Sequence, residues 1–557
     1  MSVTTEMDLK VGARPIIKVQ ITTSGGTTDI SAYLKNMGSF DIEKSRLGEQ
    51  ALVAAGDMMF VLSNHDDKFT ERVATSVFYS TDYIGYAIDI DYGFRKDDGT
   101  TEYVDQAVFK VMEIYLSSDS SECYIIGRDN IEHLNKFTLS VPANAQVPTT
   151  TGNTGNGYVT EIQTKPFGAV TENWTLTCTT LGGSGVGIFS VVGSVSGNIG
   201  SATSNTAFST GSMIQFTLYA GTTPWAVGDT FTFSTVKGIE FTATNPAKII
   251  WALLTGYNYD ADTTEDWLKK TPQLDSTQSA ANTDIDFASF TTAVTNLGAT
   301  FNLTGYAATN TNCASMISDI LIHFLGSIYA DEIGKITLKT YAPTLGAACP
   351  RIFSDSKKIS SLKYLRSYES IVNSATAKYK KTASWAWSGE VETTDGTYTK
   401  TNAASIATYG EKTKSIDTYW LSVSNAAIQW AIDRIVDKYA SPVLTLEFVT
   451  GSDGILLALG DIIQITDTKT LLSQQAMEVF NIGKDFTAKP THITVGCDDT
   501  GTTGWNWGFC GSNIAETDHD WSVAASQSFD TATDLEKQYA YASQTGGEGT
   551  PPDYYAN

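Results

Sequence analysis

Histidine is scarce in this chain: His65, His133, His323, His492 and His519 are all it has in 557 residues, and no two stand at the spacing a zinc-binding helix needs. That excludes hydrolytic chemistry of the H-E-x-x-H kind. Six cysteines (Cys123, Cys178, Cys313, Cys349, Cys497 and Cys510) lie far apart without a C-x-x-C pair, so neither a disulfide framework nor a zinc knuckle is indicated. They read as buried free thiols of a chain that folds in a reducing cytosol. Basic residues are few: 37 Lys and Arg face 61 Asp and Glu, a formal charge of −24, while charged residues make up only 18% of the chain. Sequence-independent binding to phosphate is thereby disfavoured. A carboxylate-lined channel would instead let DNA slide through without sticking. Long apolar runs are missing too. The opening MSVTTEMDLKVGARP has no signal-peptide core, and no stretch of about 18 apolar residues occurs, so neither classical export nor a membrane span is expected.

The nucleophile elbow G-x-S-x-G and the phosphate loop G-x-x-x-x-G-K-[ST] are both lacking. The Gly-rich run LGGSGVGIF precedes no helical pattern and reads as a turn. Proline is sparse (13), whereas Thr, Ser and Gly are plentiful and aromatics reach 11%. That is the composition of sheets joined by Gly-rich turns. The fold class expected is mainly β with a helical segment.

Hydrophobic periodicity divides the chain. Residues 1–145 alternate as strands do (PIIKVQI, DMMFVL, AVFKVMEIYL, ECYIIGR) and predict a β-barrel domain. Residues 146–240 open on PTTTGNTGNGY and continue as short strands, which predicts a small inserted β-sandwich. Residues 241–350 predict a mostly helical domain. One helix is capped by Asn245 with Pro246 at its first position; a second starts near Asp286 and stops at Gly298; a third follows Asn312 and ends by Gly326. Residues 351–500 predict a second β-barrel domain, interrupted by a helix over 424–440 with Ala427, Trp430, Ala431, Ile435 and Val436 on one face. Residues 501–557 predict an extended arm.

The sequence yields no catalytic, metal-ligating or cofactor-binding candidate. Asp89 and Asp91 with Gly93, and Asn258, Asp260 and Asp262 with Glu265, alternate as calcium ligands do, but neither set has glycine sixth and glutamate twelfth. They read as solvated turn carboxylates. His323 on LIHFL reads as a packed residue, and Asp518-His519-Asp520 as a surface turn. With 61 acidic residues, no glycosidase-type pair can be picked out. Trp174, Tyr219 and Trp225 in the insert are candidates for a sugar-stacking platform, with Trp225, beside Pro224, expected to be exposed.

Three stretches carry a positive signal. SRLGEQ followed by DMMFVLSNHDDKFTE ends in an Asn-x-Asp-x-x-Phe turn, Asn64 to Phe69. NPAKIIWALLTGYN is followed by SFTTAVTNLG. Later come a helix, Tyr439-Ala440-Ser441-Pro442, a strand, and Leu459-Gly460-Asp461-Ile462-Ile463. In this order the stretches resemble the hub proteins of bacteriophage tails and baseplates. The resemblance implies a homotrimer whose chains each supply two hub-type β-barrel domains, so that three chains offer six similar surfaces to a six-fold tail tube. Its expected partners are the tube or distal tail ring, a tip, spike or central fibre protein, genomic DNA in passage and a host-surface glycan. Its expected place is the virion tail tip, after assembly in the host cytoplasm. The competing readings are a ring-forming distal tail protein, a tail-associated cell-wall hydrolase, and an adhesin, which would need an export signal.

Overall fold

A computed structural model of the chain describes residues 16–23, 25–37, 39–43, 56–79, 83–95, 99–136, 138–139, 150, 152–164, 170, 172–211, 213–235, 239–255, 283–298, 301–307, 311–340, 351–354, 360–385, 391–422, 426–451, 454–455, 457–470, 472–485 and 492–499, with short strands beyond 505. Strand dominates and helix is the minor component, as composition implied. None of the helices among the described residues is long and apolar enough to cross a membrane.

The first sheet is antiparallel throughout, in the order Gly26–Asp29, Ile16–Thr23, Ala87–Arg95, Thr101–Leu116, Glu122–Arg128, Asp57–Ser63, Leu34–Met37. Period-two patterning builds it: in ECYIIGR, Cys123, Ile125 and Gly127 face inward while their neighbours are only half-buried. Its longest strand, Thr101–Leu116, is interrupted by two register shifts, one beside Gln106 and one beside Met112. Extra residues of this kind bend a strand and raise its twist. The sheet curls part of the way, and its outer strands do not meet among the described residues.

A second large sheet runs Arg351–Ser354, Ile462–Asp467, Leu472–Asp485, His492–Asp499, Leu444–Thr450, Ser360–Arg366. Leu472–Asp485 also pairs with Ser39–Glu43, more than 400 residues upstream in sequence. The first 145 residues therefore donate a strand to the C-terminal sheet. The two sheets share one core, in which Phe60, Phe109 and Ile125 belong to the same cluster as Phe353, Phe448 and Ile482.

A boundary at 350 is crossed as well. Ser374–Trp385, Val391–Thr401 and Thr413–Ser422 do not join the C-terminal sheet; they pair with Ile239–Thr244 and Leu303–Ala307 in a sheet of their own. Helix Ala426–Tyr439 covers it, burying Ile428, Ile432, Ile435 and Val436 against Ala375, Ala377 and Tyr379. The face predicted for this helix is rotated slightly: Ile428 and Ile432 complete it, and Trp430 sits half-buried at its margin against the edge of Phe301.

The three middle helices form where their caps predicted: Pro246–Thr255, Phe287–Leu297 and Cys313–Ile322. Asn245 caps the first by accepting from Ala247 N at 3.0 Å, and its Nδ2 donates to the carbonyls of Val294 and Gly298, the end of the second helix. One side chain thus serves two helix termini that would otherwise be short of partners. Short strands were missed in this segment, among them the hairpin Ser327–Ala330 and Ile336–Lys339. At four residues each they are too brief to show a period.

In sequence the insert follows the first sheet and precedes these helices. Gly197–Thr203, Gly187–Gly193, Glu172–Leu181 and Thr230–Thr235 form one sheet, and Tyr158–Thr164, Ile214–Tyr219 and Ala207–Ser209 another. It has its own core around Trp174, Phe189, Phe216 and Phe233. The run LGGSGVGIF is the turn expected, joining Glu172–Leu181 to Gly187–Gly193. In the C-terminal arm Asn506–Phe509, Ala525–Ser526, Ala540–Ser543 and Tyr554–Tyr555 pair with one another, so these segments are sheet and not free extended chain.

Candidate functional site

The turn Asn64 to Phe69 is organised by one buried side chain. Asn64 Oδ1 accepts from Phe69 N at 2.8 Å, and Nδ2 donates to Thr70 Oγ1 and to Ser120 O, each at 3.0 Å. Asp67, at φ 56°, makes the tight bend, which short polar side chains tolerate best after glycine. Phe69 is thereby turned inward, edge-on to Tyr33 at 5.3 Å. In the later motif Gly460 takes φ 73° and Asp461 ties the turn, accepting from Ala458 N and from Lys339 Nζ at 2.8 Å each.

Lys339 belongs to the hairpin noted above, which touches both large sheets. At its tip Asp331 accepts from the backbone of Ile333 and Lys335, and Asn130 Nδ2 donates to the carbonyl of Gly334. Gly334, at φ 77°, packs so closely on the first sheet that a Cβ there would lie 2.7 Å from the Cβ of Val108. Next to this contact Lys484, buried on the C-terminal sheet, donates to Gln106 O and Gln106 Oε1, each at 3.3 Å. First sheet, hairpin and C-terminal sheet thus converge at one polar junction inside an apolar core. Burial brings the Lys484 amine down to about 8, with the charge of Glu332 opposing that fall. Neither Gln106 nor Lys484 stood out in the sequence, because each sits in a strand where alternation assigns a polar residue to solvent.

Of the aromatic candidates, Trp174 and Trp225 are core residues. Trp225 is only 3% exposed, contrary to the exposure expected of it. Gly155, Gly157 and Gly187 leave room for its ring, which lies edge-on to Phe189 at 5.0 Å. Tyr219 is exposed, and its partner is a residue the sequence did not single out. Tyr158, directly across the strand pair, is 55% exposed and stacks on it at 5.4 Å. Its signal was available only through the pairing register.

Asp89 and Asp91 lie on a strand, not in a turn. Asp91 pairs with Lys18 at 3.3 Å, and Asp89 is held above its ordinary value by burial and by the charge of Asp91. The residues 258–265 and the Asp518-His519-Asp520 triplet lie outside the described residues. Among the described residues no group of three or more His, Cys, Asp and Glu is placed to hold a metal ion. His323 is packed as expected: Nδ1 donates to Asp319 O at 3.0 Å, which leaves Nε2 to accept from Thr418 Oγ1. Four cysteines, Cys123, Cys178, Cys313 and Cys497, are buried thiols outside any disulfide, and burial pushes those of Cys123 and Cys313 up to about 12. Cys349 and Cys510 lie outside the described residues.

Burial likewise raises the carboxyls of Asp129, Asp319 and Asp331 to about 6. A carboxyl whose folded value exceeds its unfolded one binds more protons in the folded state between the two, here between 3.8 and about 6, so these sites gain stability as pH falls through that window. Asp119 opposes them only lower down. Hydrogen bonds from Ser117 and Ser121 hold it at about 2, and its contribution is lost between 3.8 and 2. The expected result is a thermal midpoint higher at pH 5 than at pH 7.5 and falling again below pH 4, read by circular dichroism.

Neither a family model nor a curated protein matches the chain. Among solved structures it is similar to the tail protein from Neisseria meningitidis MC58, with 10% identity over 87% of this chain and 97% of that one and a TM-score of 0.39. It is also similar to the 43 kDa tail protein of prophage MuSo2 from Shewanella oneidensis (10% identity, 86% and 98% covered, TM-score 0.39). A third is prophage tail protein gp18 from Listeria monocytogenes EGD-e (9% identity, 87% and 95% covered, TM-score 0.38).

Proposed function

We propose that this chain is a structural virion protein: a homotrimeric hub at the distal end of a phage tail that closes the tail tube and connects it to the tip or spike and the baseplate. On this reading it takes part in host attachment and lets genomic DNA pass, and it is not an enzyme. The observation that carries the reading is the single core running through both large sheets, with strand Ser39–Glu43 of the N-terminal part paired into the C-terminal sheet. Two β units joined in this way move together, which suits a part that must hold a tube shut and then transmit force. The three motifs of the resemblance support it further, since each holds a part of the fold in place. Asn64 closes a turn, Asn245 ties two helices, and Gly460-Asp461 locks the hairpin to the C-terminal sheet. The acidic balance suits a lumen that DNA must not adhere to.

In this reading the two β units, centred on 1–145 and 351–500, are the hub-type barrels, completed in the trimer; 241–350 spaces them, and 501–557 reaches a partner. The insert, 146–240, is an accessory domain for a host-surface glycan, with the Tyr158–Tyr219 pair as its stacking face in place of the buried tryptophans. Antibody labelling of intact particles tests the placement. Label confined to the distal tail end is expected, and label along the tube or on the head would overturn it. For the insert, an array of host envelope glycans should be bound by the wild type and lost, by roughly 1 to 2 kcal/mol of stacking energy, in Tyr158→Ala/Tyr219→Ala. Equal signal from both proteins would remove the glycan role.

A further inference from the structure

We infer that the Lys484 amine condenses with the Gln106 carboxamide, so that the mature protein carries an amide crosslink between its first sheet and its C-terminal sheet. The two residues lie 378 positions apart in sequence, and both are buried. Their meeting depends on a specific irregularity. Ile90 pairs with Ala107 and Asp91 with Asp105, which leaves Gln106 as the extra residue of a bulge. A bulge re-aims the side chain it carries, and here Gln106 and Ala107 are both buried in succession where alternation would expose one of them.

The carboxamide is oriented before any reaction. Its Nε2 donates to Asp105 O at 2.7 Å and to Val104 O at 3.3 Å, so Oε1 is turned to Lys484 Nζ, with Cδ one bond behind it. Lys484 has no carboxylate as a hydrogen-bond partner among the described residues; its contacts are the two oxygens of Gln106. An ammonium buried without an adjacent counter-ion is costly. The amine is therefore biased towards its neutral, nucleophilic form, and conversion to an amide removes the cost. The hairpin tip that packs Gly334 on Val108, two residues along the strand from Gln106, closes over the same junction.

The step balances without an oxidant or a co-reactant. Lys484 releases one proton to solvent, and the neutral Nζ adds to Gln106 Cδ. A second Nζ proton passes to Nε2, and the Cδ–Nε2 bond breaks. Ammonia leaves and takes up a proton from solvent, as ammonium. Proximity lowers the barrier to such an addition, because the fold holds the two groups in contact. The product closes the chain between residues 106 and 484 and ties the two sheets by a covalent bond.

Intact mass spectrometry of the purified full chain tests this. The wild type should weigh less than its sequence by one ammonia, and Lys484→Arg, which keeps a cation at the site, should have its full sequence mass. A tryptic digest should contain a branched peptide joining the segment around Gln106 to the one around Lys484, with no cleavage after Lys484. Wild-type protein of full sequence mass whose digest gives both linear peptides would overturn the proposal. That readout does not depend on whether the variant folds, nor on whether the chain is a tail hub.

Discussion

Replacing Trp251 by alanine is expected to destabilise the protein by about 3–5 kcal/mol, the range for truncating a large buried aromatic. The side chain is fully buried at the centre of the helical layer. Its ring meets Phe287 at 5.3 Å and Phe290 at 5.5 Å, both edge to face, so the first helix is seated on the second chiefly through it. The void left by alanine would be lined by residues of both helices, and Asn245 fixes their spacing by bonding the Val294 and Gly298 carbonyls. Partial collapse is therefore restricted. Urea unfolding followed by circular dichroism measures the loss. A change below about 1 kcal/mol would mean that the layer repacks freely, which is inconsistent with a close-packed interior.

Asn64→Ala should cost about 2–4 kcal/mol, although it removes a smaller side chain. The alanine leaves the buried Phe69 N without its side-chain partner, at about 1–3 kcal/mol, and takes from Ser120 O, on an exposed residue, a part-buried bond worth about 0.5–1.5 kcal/mol. Phe69 would also lose the bond that turns it into the core. Asp67→Gly, three residues on, is the informative control. It gives up the bond to Thr70 Oγ1 but relieves a positive φ, so the two effects offset and the change should stay within about 0.5 kcal/mol. Equal losses in both variants would show that the turn has no dominant residue.

These two residues also mark what the sequence can tell. Helix ends were legible because caps are local: Asn245, Asp286 and Asn312 each accept from an amide two residues on, and a pattern read along the chain detects that. Sheet membership was not legible. Nothing in SFDIE says that it pairs with a strand near residue 480, and the alternation of residues 374–385 is the same whether they join one sheet or another. Trp225 is buried against expectation for a related reason, since Pro-Trp in a turn looks exposed until three glycines from two distant segments are brought against the ring. The junction at Lys484 was hidden by a bulge, a feature of two strands and not of one.

The central claim is that three copies of this chain form the hub, and the mass in solution tests it most directly. Light scattering of the purified full chain across a range of concentration should give three times the 60.1 kDa chain mass, about 180 kDa. A mass of one chain at every concentration, or of six, would contradict it, and six would point to the ring-forming protein of the distal tail instead.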